Sequence, residues 1–570
     1  MSRTTLLRGI FILALFTLPV YAQVSVLTYH NDNLRTGQNL SEVTLTPSNV
    51  ATNFGKLFTI AVDDWIAVQP LYVPNVNIGG GTHNVIYVAT LNNTVYAIDA
   101  DTPTTTYWSQ NYGAPTPFTG ICQDTKYQTA AHGGAGIVST PVIDTNLGTI
   151  FFVTKTGDGN INPYAVTFYA VNIATGATIA STVVNPGTSD WNPHLQMSRP
   201  GLSEDPTGSY VYVGLGATGC QNYKYEHGFV MAYSTTTASL VATFATTSGK
   251  NNNGGIWQGG GGLALDATGD IYFETADANY QPKSNTYGDS IVKINTGANG
   301  LSLLDWFTPS NQSYLQKYDL DLSSVGPVLL PDQQGSYPHI LVGSGKTEEI
   351  YVVNRDSMGK FNSAGNTNIL QDIPTSSSQT GCMTATIGSS TGSTCRNAPP
   401  SYFNNGVNSY VYMVDDGNST PASLSFSCDV LQYTINPSNQ INQILSTAPT
   451  AQITFGTNCL VGGASISANG STNGIVWVVV SKGTATALHG LNASTLASVY
   501  NSNQHPTRDS LGITARFVTP TIANGKVYVG GRTATGGELV VYGLLSGKPS
   551  SDRSGTSDRG EIRTPAKHGR

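Results

Sequence analysis

The sequence predicts an all-β fold, a propeller of eight four-stranded blades, on three observations. A β-rich unit of roughly sixty residues recurs along almost the whole chain. Charged residues are only 11% of the total while glycines number 62, a balance that favours short strands and tight turns over helices. Finally, the last unit lacks a fourth strand, and a strand-like segment near the beginning of the chain supplies one.

Residues 1–22 read as a secretory signal. Arg3 and Arg8 precede a short apolar run from Ile10 to Val20, and Val20-Tyr21-Ala22 gives a small residue at the cleavage point. The run is short of the about 20 apolar residues that span a bilayer, and no later stretch replaces it. No cysteine follows the cleavage point to carry a lipid. The expectation is an exported, secreted or periplasmic, monomeric protein without a membrane span.

Residues 23–545 are expected to form one propeller domain. The first unit has Gln69-Pro70, then Val85 to Ala89 and Val95 to Asp99. In the second, Thr140 to Asp144 precedes Ile150 to Val153 and Phe168 to Asn172. The third carries Arg199 to Leu202, Tyr210 to Val213 and Phe229 to Tyr233; the fourth Gly261 to Ala264, Ile271 to Phe273 and Ser290 to Ile294. The fifth runs through Gly326 to Leu329, Ile340 to Gly343 and Ile350 to Asn354. The sixth is ragged, around Tyr410 to Met413 and Val430 to Tyr433. The seventh has Val476 to Val479 and Leu488 to Asn492. The eighth has Thr519 to Ile522, Val527 to Gly530 and Leu539 to Tyr542.

No helical periodicity intervenes, and no unit can bury a core alone, so the units must stack. A closed ring leaves little open strand edge. Phe54 to Ile60 precedes the first unit and is the natural fourth strand for the eighth. This closes eight blades, with seven the other count because of the irregular sixth unit.

Beyond Ser546 the chain is rich in Gly, Ser and Pro, with six Lys or Arg, and reads as a disordered tail. The net charge of -7 over 570 residues gives no concentrated basic face, which argues against nucleic-acid binding. Six cysteines in an exported chain suit disulfides. Cys382 with Cys395 and Cys428 with Cys459 are the local pairs, leaving Cys122 with Cys220; spacing alone does not fix the connectivity. No CxxC suggests zinc.

The unit resembles the repeat of pyrroloquinoline-quinone-type propellers, the quinoprotein alcohol dehydrogenase-like superfamily. That repeat ends in Ala, Asp or Asn, then Thr-Gly and a docking Trp. Ala170 to Gly176 is similar to it, as are Ala97 to Thr102 with Trp108 and, more loosely, Gly490 to Thr495 with Tyr500. Leu27 to Gly37, Gly254 to Gly261 and Pro338 to Lys346 further resemble uncharacterised exported bacterial propellers of that superfamily, which bring no assigned activity. The resemblance implies pyrroloquinoline quinone with calcium as the cofactor. The family's adjacent cysteine pair is missing, its calcium set finds no residue-by-residue match, and Ala180 and Tyr500 stand where docking tryptophans belong.

In a propeller the innermost strands start at the central channel, so polar residues there are the candidate site. On that ground Gln69, His132, Arg199, Trp257, Gln258, Lys346 and Arg516 converge at one mouth. Three of them are cationic, which suits a carboxylate-bearing ligand. The competing assignment is that they hydrogen-bond blade ends across the funnel. Gly259 to Gly262 lacks the Lys-Ser or Lys-Thr and the helix of a phosphate loop. The Asp-Asp-Gly-Asn run at Asp415 and the pair Asp319 and Asp321 lack the spacing of a calcium loop, and turn chemistry explains them. No HExxH, Ser-His-Asp pattern or GxSxG elbow is present.

Three functions are therefore open. The first is a binding or protein-interaction scaffold without assigned activity. The second is a quinone-dependent oxidoreductase of alcohols or sugars. The third is a carbohydrate-binding or carbohydrate-active surface protein. The partners expected are a small molecule, a glycan or an envelope protein.

Overall fold

The computed structural model describes residues 23–117, 133–158, 160, 162–189, 191–217, 227–249, 252–374, 396–415, 427–438, 440–457, 459–483, 485–514 and 517–546. Eight blades form a ring, as the repeat predicts. The first is Leu71–Ile78, Gly81–Ala89, Thr94–Asp99 and Thr106–Asn111, hydrogen-bonded in that order from the channel outward. The second is Val142–Asp144, Thr149–Thr156, Ala165–Asn172 and Thr178–Val183. The remaining inner strands are Ser203–Glu204, Ala264–Leu265, Val328–Leu329, Arg396–Asn404, Ser465–Asn469 and Thr521–Ala523.

Each blade is antiparallel, so inner strands begin at the same end of the ring where second strands finish. We call that end the mouth. The turns at the far end are short and capped by Asp and Asn side chains. Asp144 Oδ1, for example, accepts from the Asn146 and Leu147 amides.

Phe54–Val62 pairs antiparallel with Gly537–Leu544 as the outermost strand of the eighth blade. The ring is thus closed by the N-terminal strand, as expected. The sixth unit is a regular blade, with Arg396–Asn404, Ser409–Asp415, Ser427–Ile435 and Ala451–Thr457. Its first strand carries Pro399 and Pro400, which interrupt the register and hid it from a reading of β-branched runs.

Alternating side chains on each strand pack into the neighbouring blades. Phe151, Val153 and Phe168 of the second blade, for instance, meet Val211, Val213 and Met231 of the third. Trp108, on the outer strand of the first blade, donates Nε1–H to the Ile173 carbonyl at 2.8 Å and covers Gly176. This is the docking that the repeat resemblance implied. Tyr500 takes a different part, donating to Asp509 Oδ2 at 2.9 Å. Cys428 and Cys459 are bridged, joining the third strand of the sixth blade to the entry of the seventh. The other two expected disulfides lie outside the described residues, as does the chain from 547 onward. Among the described residues no helix is long and apolar enough to cross a membrane.

The channel is filled by the chain itself. Residues 26–42 touch the inner edge of all eight blades in turn. Val26 bridges to Tyr72 of the first blade, and the Leu27 carbonyl accepts from Ile143 of the second. Asn33 Nδ2 donates to the Glu204 carbonyl of the third, and the Asn33 carbonyl accepts from Leu265 of the fourth. Leu34, Thr36 and Gly37 accept from Leu329, Tyr402 and Ile466 of the fifth, sixth and seventh. Asn39 Nδ2 donates to the Ile522 carbonyl of the eighth. The sequence carried the signal, a polar run without strand alternation at Tyr29 to Thr36, but nothing in it located the run in the channel.

Candidate functional site

Arg35 is the centre of this plug. Its guanidinium donates to the carbonyls of Leu263 (2.9 Å), Tyr29 (2.7 Å), Asp32 and Leu202 and to the hydroxyls of Thr28 and Ser203. Burial lowers its pKa to about 10, which leaves it charged at neutral pH. Two glycines make room. A Cβ on Gly262 would sit 2.6 Å from Arg35 Nε, and one on Gly201 2.8 Å from Tyr29 Cβ. Above Arg35, Tyr29 stacks on His30 at 4.4 Å, and its hydroxyl is shared with Thr519 Oγ1. Burial lowers the His30 pKa to about 3, so this imidazole is neutral and carries no positive charge into the channel.

This floor decides what several mouth residues do. Gln69 is buried, and its Oε1 accepts from the His30 amide at 2.9 Å, so it ties the first blade to the plug. Gln258 is buried too; Nε2 donates to the Gly262 carbonyl at 2.8 Å and Oε1 accepts from the Glu274 amide at 3.1 Å. Both polar ends of Gln258 thus serve the fourth blade and its entry loop.

Arg199 and Trp257 do converge. The guanidinium carbon lies 5.2 Å from the Trp257 ring centroid and 5.5 Å from that of Phe517. Trp257 lies flat against Gly216 and Gly255, where a Cβ would meet the indole at 3.1 and 3.2 Å. All three side chains are half-buried. A second pair of the same kind stands at the mouth of the eighth blade, where Arg532 covers the Trp65 ring at 3.9 Å. Phe517, Trp65 and Arg532 were not singled out from sequence, because two come from separate loops and the third ends a second strand rather than preceding an inner one. His132 and Arg516 lie outside the described residues.

Lys346 is at the same end but points elsewhere. Its Nζ is 2.6 Å from Asp321 Oδ2 and 3.0 Å from Asp319 Oδ1, and it donates to the Asp319 carbonyl at 2.8 Å. Asp277 completes a trio whose carboxylate oxygens lie within 4.8 Å of one another. Burial and the neighbouring acids raise the Asp277 pKa well above the usual carboxylate range.

These features define a propeller closed around its own N-terminal segment, with an arginine–aromatic funnel at the mouth. No family model matches the sequence, and no curated protein matches it either. Among solved structures the chain is similar to the quinohemoprotein alcohol dehydrogenase ADHIIG of Pseudomonas putida HK5. The two are 12% identical over 95% of this chain and 83% of that one, with a TM-score of 0.60. It is similar to the quinohemoprotein alcohol dehydrogenase of Comamonas testosteroni, at 14% identity, 95% and 84% coverage and a TM-score of 0.60. A europium-containing methanol dehydrogenase is 13% identical over 91% of this chain and 98% of its own, with a TM-score of 0.56. The chain shares the β-propeller fold of these dehydrogenases, as the repeat implied.

The cofactor that this fold implies is a planar, carboxylate-bearing quinone with calcium. Arg199 with Trp257 and Phe517 suits the planar anion. The metal half does not fit the described residues: the single carboxylate trio among them holds the Lys346 ammonium where a cation would stand. No redox step is derived through the group.

Proposed function

We propose that this protein is an exported binding propeller whose funnel takes a planar or apolar anion against Arg199 and Trp257. The observation that carries this reading is the pairing of the two side chains 5.2 Å apart above a plugged channel. The plug fills the axis with Tyr29, His30 and Arg35, so this reading places the ligand at the mouth rather than inside the channel. A guanidinium that stacks on an indole through its face binds carboxylates through its edge. Nothing in the proposal requires catalysis.

The quinone-dependent oxidoreductase is the second reading, favoured by the likeness to quinohemoprotein alcohol dehydrogenases. The test is titration of the purified protein with pyrroloquinoline quinone, with and without calcium, followed by tryptophan fluorescence and thermal melting. A saturable shift that is independent of calcium and lost in Arg199→Ala supports the binding propeller. A shift that needs calcium, together with dye reduction by an alcohol, supports the oxidoreductase. No shift with quinone or with other aromatic carboxylates, from a protein that melts cooperatively, would sink the funnel as the site.

A further inference from the structure

Lys155 is an anomaly that neither reading uses. It lies on Thr149–Thr156, the second strand of the second blade, and shares a face with Phe151 and Val153, which pack in the core between blades two and three. The residue is only 3% exposed, so an amine stands where the pattern calls for an aliphatic side chain. Its Nζ has one hydrogen-bond partner, the His194 carbonyl at 2.7 Å, and among the described residues no carboxylate pairs with it. A buried ammonium with a single neutral acceptor is costly, and the amine escapes that cost by losing its proton. Burial lowers its pKa to about 7.

The acceptor belongs to a short strap. Asn192 Oδ1 accepts from the His194 amide and the Asn192 carbonyl from the Leu195 amide, which folds residues 191–195 over the lysine. These strap residues are half-buried up to His194, and the His194 ring stacks on Tyr164 at 3.9 Å. His194 Nε2 is buried with no hydrogen-bond partner. Breaking the one bond between Nζ and the strap therefore frees the amine, while burial and then the nearby lysine lower the pKa of the His194 imidazole.

We propose that Lys155 is a reactive amine that condenses with a small aldehyde or ketone admitted beneath the strap, independently of the funnel at Arg199. The neutral amine adds to the carbonyl carbon, and the resulting carbinolamine loses its oxygen as water together with the two amine hydrogens. An imine joins Nζ to the former carbonyl carbon. No oxidant or reductant enters the step.

The test uses the whole protein with acetaldehyde and cyanoborohydride, and peptide mapping of the alkylated lysines between pH 6 and 9. The expected result is alkylation of Lys155 about tenfold faster than of surface lysines at pH 7, rising with a midpoint near 7, because surface amines stay protonated there. Lys155→Arg should lose that peptide's adduct and keep the circular dichroism spectrum. Should the variant not fold, the wild-type rate ratio decides alone. Labelling no faster than at surface lysines would overturn the proposal. So would protection of Lys155 by phosphate without any adduct, which would mark an anion site.

Discussion

Arg35 Nε donates to the carbonyl of Leu263, 228 residues further along the chain, and so pins the N-terminal segment to the fourth blade from inside the ring. The same guanidinium reaches Leu202 and Ser203 of the third blade. Neutral acceptors surround it, so its charge is held by hydrogen bonds and the nearby Asp32 carboxylate without a direct ion pair. Replacing it with Met keeps the length but leaves several buried carbonyls without donors. At 1–3 kcal/mol for each group left unsatisfied, Arg35→Met should cost at least about 3 kcal/mol. Gly262→Ala, which drives a methyl against Arg35 Nε, should cost about 1–3 kcal/mol. Guanidinium unfolding checks both; near-wild-type midpoints would show that the plug is not part of the cooperative unit.

The parts of the fold that the sequence revealed are those governed by local rules. Val85 to Ala89 or Tyr210 to Val213 announce strands by β-branched and aromatic residues bounded by turns, and the unpaired Phe54 segment announces closure by simple complementarity. The plug was not legible in the same way. Tyr29, His30 and Arg35 are buried by strands up to several hundred residues away, and no local pattern encodes a partner at that range. The candidate site divides likewise. Arg199 and Trp257 were found because both precede inner strands. Gln69 and Gln258 obey the same rule, yet their hydrogen bonds serve the plug and the fourth blade. The acids that claim Lys346 sit on a neighbouring loop, and sequence spacing alone did not join them.

Lys346 acts as a built-in counter-ion, which predicts a metal phenotype when it is removed. In Lys346→Met the carboxylates of Asp277, Asp319 and Asp321 would face one another without a cation. Asp319 is largely exposed, so solvent relieves part of the strain. A loss of about 3 kcal/mol is expected in metal-free buffer, mainly from the buried Asp321 partner. Calcium or terbium should restore stability to the variant, and terbium luminescence should saturate in it alone. Terbium binding by the wild-type protein at this site would contradict the assignment of Lys346 as the resident cation.

Glu204 makes stability depend on pH. Burial, then the nearby Asp144 and Asp205, raise its pKa to about 8 from a usual value of 4.5. A raised folded-state pKa means that the native protein holds a proton the unfolded chain has released. The stabilising contribution is therefore complete below about pH 4.5 and is lost as pH rises through about 8. Glu204→Gln keeps the neutral form at every pH, so its melting temperature should exceed that of wild type most clearly above pH 8. Parallel pH profiles for the two proteins would show that burial does not hold a proton on Glu204.

Lys155 gives the mirror case and separates a buried neutral amine from a hidden ion pair. Its folded pKa, about 7, lies below the 10.5 of a free lysine, so between those values the unfolded chain binds a proton that the native protein does not. Stability from this group is fully present above pH 10.5 and is lost as pH falls through 7. Lys155→Met removes that slope and fills the same position beside Val153 with an apolar chain. The variant should match or exceed wild type in stability at pH 6, with the advantage shrinking as the pH rises towards 9. A variant less stable than wild type across the whole range would mean that the ammonium is held by compensating charge, and would remove the physical basis for a neutral amine at this site.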